Sequence, residues 1–267
     1  MEQMNNFRFL LIFDVFMANP NGDPLYGTPR LLSDNRCMIT DKCIKHKIRH
    51  VLYEDGHKLL HFTENDETVV QKLNYNKKDD ISEIEERARK FIDYRLFGAC
   101  DLSGKLMLKA TGPITIENPV TYNPVIIQDV RTNRSYAIDK NDDGTNEGSG
   151  YNNRASFVEY GLFGAYGGLN IKAASKTGCT ERDIYSLKNA LARIFDNDAA
   201  TARPHGSMNV RKIICWEWDE KERHSDMEIK DLVEIKLKDE QLMIPSKYED
   251  YEILIKHIEG IQTEIII

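Results

Sequence analysis

FDVFMANPNGDPLYGTPR, residues 13–30, joins two incompatible halves. The apolar run FLLIFDVFM reads as part of a strand, Phe7 to Met17, buried on both faces. Asn19-Pro20-Asn21-Gly22-Asp23-Pro24 cannot continue it, because proline lacks an N–H and Asn, Asp and Gly favour turns. Pro20 and Pro24 fix φ on either side of Asn21-Gly22, which can adopt φ > 0. Such a turn can present N–H donors and Asn amides to a phosphate. A well-capped turn with no ligand is the competing reading, and the residues alone leave both open.

Working downstream, Ile44, Ile48, Val51 and Leu52 recur at a helical period from Asp41 to Tyr53, with Thr40 as N-cap. Lys42, Lys45 and Arg49 fall on one side of that helix, either as a solvated face or as a polyanion contact. Residues 55–80 are polar and irregular. Ser82-x-x-Glu85 reads as a capping box for a helix carrying Ile84, Ala88, Phe91 and Ile92. Ile114–Val120 and Val125–Val130 read as a hairpin turning at Tyr122-Asn123-Pro124. Residues 139–153 have the composition of a flexible loop. Phe157 to Ala173 reads as strand, Thr180 caps a helix through Phe195, residues 196–209 are loop, and Val210 to Trp218 is strand. The C-terminal part adds a strand near Leu232–Leu237, a helix near Tyr248–Ile258 and a final apolar run, Ile261–Ile267. The core order of strand, helix, insertion, strand, helix, strand is the skeleton of an α+β, ferredoxin-like or RNA-recognition-type sheet.

A length of 267 residues suits one large domain or a small one with insertions. Hydrophobic content of 41% with 30% charged residues is that of a soluble globular protein, and no apolar run is long enough to span a bilayer. The N-terminus lacks the pattern of a signal peptide. Five cysteines without a CxxC read as reduced thiols of a cytoplasmic protein. Residues 215–267 hold fifteen Asp and Glu against seven Lys and Arg, a balance of −8. The whole chain stands at −7, so the preceding 214 residues sum to +1. Within them, Arg36, Lys42, Lys45, Lys47 and Arg49 face a single acid, Asp41, a local basic surface of the kind that suits a polyanion.

Other constellations fail a chemical test. Asp139, Asn141, Asp143 and Gly144 match the start of a calcium loop, but Gly150 stands where a bidentate Glu is required. His46 and His50 have zinc-pair spacing, but cationic neighbours would repel a metal. Gly161, Gly164, Gly167 and Gly168 do not form a dinucleotide fingerprint; in a strand they permit close approach of another backbone. Tyr160, Phe163 and Tyr166 could stack on bases or fill a core. No cofactor, metal or catalytic residue is assigned.

FDVFMANPNGDPLYGTPR followed by ITDKCIKHKIRHVLY resembles the N-terminus of the Cas7 backbone family of type I CRISPR effector complexes (Cascade). It is most like the type I-C branch, with I-B next. DYRLFGA (93–99), GPITIENPV (112–120), YGLFGAYGG (160–168), KTGCTERDIYSLKNALARIFDND (176–198) and the Arg203–Arg211 segment agree in order. The family often carries a basic residue and a His at the positions of Gly164 and Tyr166. The resemblance implies a hand-shaped protein that polymerises along CRISPR RNA, leaves bases free to pair with target DNA, meets other Cascade subunits and has no catalytic role or membrane. The palm is 1–54 and 155–267, the fingers 55–111, and the thumb hairpin with its flexible loop 112–154. Expected RNA contacts are Asn19, Asn21, Gly22, Arg30, Lys42, Lys45, Arg49, Tyr166, Arg203, His205, Ser207 and Met208. Val120, Tyr122 and Val125 form the expected thumb tip and inter-subunit wedge. The rival is a metal-independent RNA-processing endonuclease using His46, His50 or His205 as base.

Overall fold

The computed structural model describes residues 4–62, 65–76, 78–103, 106–133, 139–140, 146–147 and 152–267. The long apolar run forms β1 (Asn6–Ala18). Two short strands, β2 (Arg30–Leu31) and β3 (Cys37–Met38), precede α1 (Asp41–Glu54), whose N-cap Thr40 accepts from the Cys43 N–H. The next region contains α2 (Val69–Lys72), α3 (Ile81–Ala88), α4 (Ile92–Phe97), β4 (Gly98–Ser103) and β5 (Leu106–Thr111). Then come β6 (Ile114–Ile116), β7 (Val120–Thr121), β8 (Ile127–Asn133), the two-residue β9 (Asp139–Lys140) and β10 (Asn146–Glu147), and the 18-residue β11 (Asn152–Leu169). The chain closes with α5 (Ile171–Thr177), α6 (Glu181–Ala192), β12 (Met208–Trp218), α7 (Asp226–Lys230), β13 (Val233–Leu237), β14 (Tyr251–Ile255) and β15 (Gln262–Ile265).

The result is a mixed α/β fold around a large antiparallel sheet ordered β15-β12-β1-β11-β7-β3-β2, with β6 and β8 also paired to β11. β1 lies inside the sheet, paired along its length with β11 and β12. Alternation along a strand sends its side chains to two faces. Phe7, Phe9, Leu11, Phe13 and Val15 pack with the apolar stripes of α1, α4, α5 and α6. Leu10 and Ile12 point the other way, joining Leu162, Ile214, Trp216 and Trp218 under a C-terminal lobe that contributes Ile229, Leu232, Tyr251 and Ile261. Covering both faces explains why the run contains almost no polar residue. Leu60, Leu73, Ile84, Ala88, Tyr94, Leu106 and Leu108 form a separate small core for residues 55–111.

Four expectations are corrected. Residues 113–131 make no hairpin: β6, β7 and β8 each pair with successive stretches of β11, whose open edge satisfies their backbone groups. Ser82 lies inside α3, whose N-cap position is Asp80, so no capping box forms there. The helix also breaks at Phe91, which is extended, and Ile92 N–H donates to Lys58 O. Residues 171–177 are helix rather than strand, bounded by Asn170, which accepts from Ala173 N–H, and by left-handed Gly178. Residues 251–255 are a strand, because Tyr251, Ile253 and Ile255 alternate against the second core. The calcium-like residues Asn141, Asp143 and Gly144, and most of the 139–153 loop, lie outside the described residues.

Candidate nucleic-acid interface

The turn after β1 closes on Asp23. Its N–H donates to Thr28 O, its carbonyl accepts from Gly27 N–H, and Oδ1 accepts from Leu25 N–H (2.9 Å) and Tyr26 N–H (3.4 Å). Arg30 clamps the other side, donating to Asp23 Oδ2 (2.8 Å) and Gly22 O (3.2 Å). Asn19 Nδ2 donates to Gly27 O at 2.7 Å. Left-handed backbone falls on Gly27 (φ 68°), not on Asn21-Gly22 as expected; Met17 also has positive φ (47°). The Asp23 carboxylate has therefore taken donors that a phosphate would have used. The closed turn instead holds Leu25 and Tyr26 in solvent, 83% and 79% exposed. Asn21 Oδ1 accepts from Thr40 N–H and Oγ–H, both at 3.0 Å, fastening the turn to the start of α1.

A loop from the other end of the chain meets this turn. Asn19 N–H donates to Ala202 O and Phe16 N–H to Ser207 O, each at 2.8 Å. Arg203 pairs with Asp198 at 2.9 Å, and buried Lys47 pairs with the same carboxylate. Two cations sharing one carboxylate leave net positive charge. Burial pulls the Lys47 ammonium below its ordinary value, against the pull of Asp198. Asn19 Oδ1 and Ser207 Oγ are buried there and find no hydrogen-bond partner among the described residues. His205 is exposed on the same loop. Met208 is buried opposite Val15 in the sheet.

On α1, Lys42 is exposed in the first turn. Lys45 pairs with Asp41 at 2.8 Å. Arg49 turns inward to Asp93 of α4 at 3.0 Å, and both Lys45 and Arg49 lie over the Phe97 ring. Asp93 is fully buried and also accepts from the Leu60 and His61 N–H groups (2.7 and 2.9 Å). Burial raises its pKa, but His61, those two N–H groups and Arg49 outweigh it and bring the carboxyl down to about 2. Lys45 and Arg49 thus work toward the 55–111 region, away from the turn. His46 and His50 pack against Phe62. Among the described residues no group of three or more His, Cys, Asp or Glu could hold a metal.

The aromatic trio is not a free stacking platform. Phe163 stacks on Phe13 inside the sheet, and Tyr160 is buried beside Asp14. Tyr166 lies parallel to Trp216, with Lys230 over its ring and its hydroxyl donating to Lys230 O. The C-terminal lobe occupies that face. Val120, Tyr122 and Val125 likewise do not form an exposed tip. Tyr122 crosses Gly164 so closely that a Cβ there would sit 2.1 Å from its hydroxyl, and Val125 packs on the main core.

Sequence reasoning missed Arg211 on β12, which donates to buried Asp14 at 2.8 Å and lies over Tyr248. The signal was the lone acid inside FLLIFDVFM. It also missed that Lys47 falls on the apolar stripe of α1, between Ile44 and Val51.

Residues 5–256 match the model of the family described as CRISPR-associated protein Cas7. A CRISPR-associated protein Cas7 from Haloferax volcanii is 24% identical over 252 residues, covering 84% of this chain and 74% of the relative. A chain of a solved "CRISPR RNA-guided surveillance complex, pre-nicking" shares the fold at TM-score 0.51 and 14% identity, covering 82% of this chain and 80% of that one. No helix among the described residues is long and apolar enough to cross a membrane.

Proposed function

The chain belongs to the CRISPR-associated Cas7 family, and from that premise we propose that it is a non-catalytic, cytoplasmic backbone subunit of a type I Cascade, of the I-C branch. It polymerises along CRISPR RNA with other Cascade subunits and leaves guide bases free for target DNA. Strand order supports an RNA-recognition-type palm: β12, β1, β11 and the β6–β8 edge stand in the order of a ferredoxin-like sheet, with α1 and α6 as crossovers. The small core of residues 55–111 suits fingers. The thumb moves from residues 120–125 to the ribbon in which β8 pairs with residues 152–158 of β11.

The observation that carries RNA binding is the meeting of the 19–30 turn, the start of α1 and the 198–207 loop. A subunit that accepts any guide must grip phosphates and sugars rather than base edges. Lys42, Asn21, Arg203, His205 and Ser207 Oγ, which has no partner among the described residues, supply such contacts, while Asn19, Gly22, Arg30 and Met208 build their frame. Lys45, Arg49 and Tyr166 hold the protein to itself. Expression with a CRISPR array tests this: the chain should purify with RNA of defined length whatever the spacer sequence. Purification free of RNA at low salt would overturn it.

A further inference from the structure

Among the described residues the β4–β5 hairpin pairs only with itself. A two-stranded ribbon is marginal alone, so its position depends on what it leans on. Its inner face supplies Ala99, Leu106 and Leu108 to the small core, while Cys100, Leu102, Met107 and Lys109 are exposed. It leaves α4 directly through Gly98, whose φ of 70° turns the chain; a Cβ there would sit 2.1 Å from Ala110 O. Asp93 of α4 and Asp101 of β4 stand on either side of that corner, and one side chain spans it. His61 Nε2 lies 2.8 Å from Asp101 Oδ2, and its Nδ1 lies 3.4 Å from Asp93 Oδ2.

A neutral imidazole carries one N–H, so it can donate to one carboxylate and must turn a lone pair on the other. Carboxylates at both nitrogens are satisfied only by the doubly protonated ring. Nδ1 finds no hydrogen-bond partner of its own among the described residues. Burial lowers the His61 pKa, but the hydrogen bonds and charges of Asp93 and Asp101 outweigh it and hold the ring above its ordinary 6.5. The cations nearby are engaged with other groups. Arg49 of α1 donates to Asp93 at 3.0 Å. Lys72 of α2, with Glu67 close by, donates to the Leu59, Leu60 and Phe62 carbonyls. His46 and His50 of α1 pack on the neighbouring Phe62 ring. We propose that protonated His61 is a latch that fixes the β4–β5 hairpin to α4, and that the latch opens as pH rises. Its contribution is complete below about 6.5, the value in an unfolded chain, and is lost as pH climbs through the higher folded value.

The test uses the full chain and needs no RNA. In NMR, the His61 ring signal, assigned by its disappearance in His61→Gln, should titrate above 6.5. Hydrogen exchange, corrected for the intrinsic effect of pH, reads the hairpin. Between about pH 6 and pH 8.5 the β4 and β5 amides should lose protection by about threefold or more, while the β1 amides keep theirs. Asp101→Asn removes one carboxylate and keeps its shape, so it should lower the His61 titration and flatten the hairpin's response to pH. Asp101→Glu should restore both. His61→Gln should flatten the response as well. A His61 ring that titrates at or below 6.5 overturns the proposal. So does hairpin protection that is constant with pH in the wild type, or that falls as far in Asp101→Asn and His61→Gln as in the wild type. If Asp101→Asn does not fold, the wild-type titration and the exchange of His61→Gln decide the matter.

Discussion

Arg30, Lys45, Lys47 and Arg49 each hold a carboxylate of their own chain, whereas among the described residues Lys42, Lys109, Lys172 and Lys176 hold none. The first group lies around the turn and α1, where the residue pattern points to ligand contact. The second is one residue of α1 and a groove between α3, β5 and α5. A basic residue in a promising place is thus as often a strut as a contact, and its partner decides which. Neutralising a strut should cost stability; neutralising a free cation should cost binding.

The largest effect should come from the buried end of a strut. Asp93→Ala strands Arg49 and two backbone N–H groups, and should lower unfolding free energy by about 3–5 kcal/mol in urea titration. Its carboxyl has a folded pKa of about 2, below the ordinary 3.8. Its contribution is therefore complete above the unfolded value and disappears as pH falls toward 2. The gap between wild type and Asp93→Ala should close across that range; a constant gap would mean that the charge is irrelevant. The turn should be softer. Asp23→Ala loses Arg30 and the bonds to two N–H groups, and should cost about 1–2 kcal/mol. It should also broaden the NMR signals of Leu25 and Tyr26; signals as sharp as wild type would show that Asp23 does not hold the turn. Lys42→Ala should change stability by less than about 0.5 kcal/mol, since nothing in the fold leans on it, while RNA affinity falls. Loss of stability with normal RNA binding would move Lys42 into the first group.

How much could be read from residues follows the range of the interactions. β1, α1 and α6 were legible because their signals are local: an apolar run, a 3.6 period, and Thr40 and Thr180 bonding the N–H three residues on. α5 carried local signals too, Asn170 and Gly178, but they were overrun by the strand pattern before them. The pairing of β6, β7 and β8 with β11 was not legible, because two apolar runs around a turn look the same whether they pair with each other or with a third strand. Ion pairs were the least legible part. Arg49 and Asp93 are 44 residues apart, and Lys47 and Asp198 are 151 apart, so neither strut can be inferred from spacing. The lobe that covers Tyr166 comes from the end of the chain; its acidity and its strand near Leu232–Leu237 were legible, its place over Tyr166 was not.

If RNA is held by phosphate contacts that ignore guide sequence, its affinity must fall steeply with salt and be the same for every spacer. Full-length chain and CRISPR RNA should be titrated between about 50 and 200 mM salt. With three or four phosphates neutralised per copy, log K should fall with log salt at a slope of about −2 to −3 per copy, and replacing the spacer should leave slope and affinity unchanged. A slope near zero, or an affinity that follows the spacer sequence, would show that the RNA is not held through its phosphates.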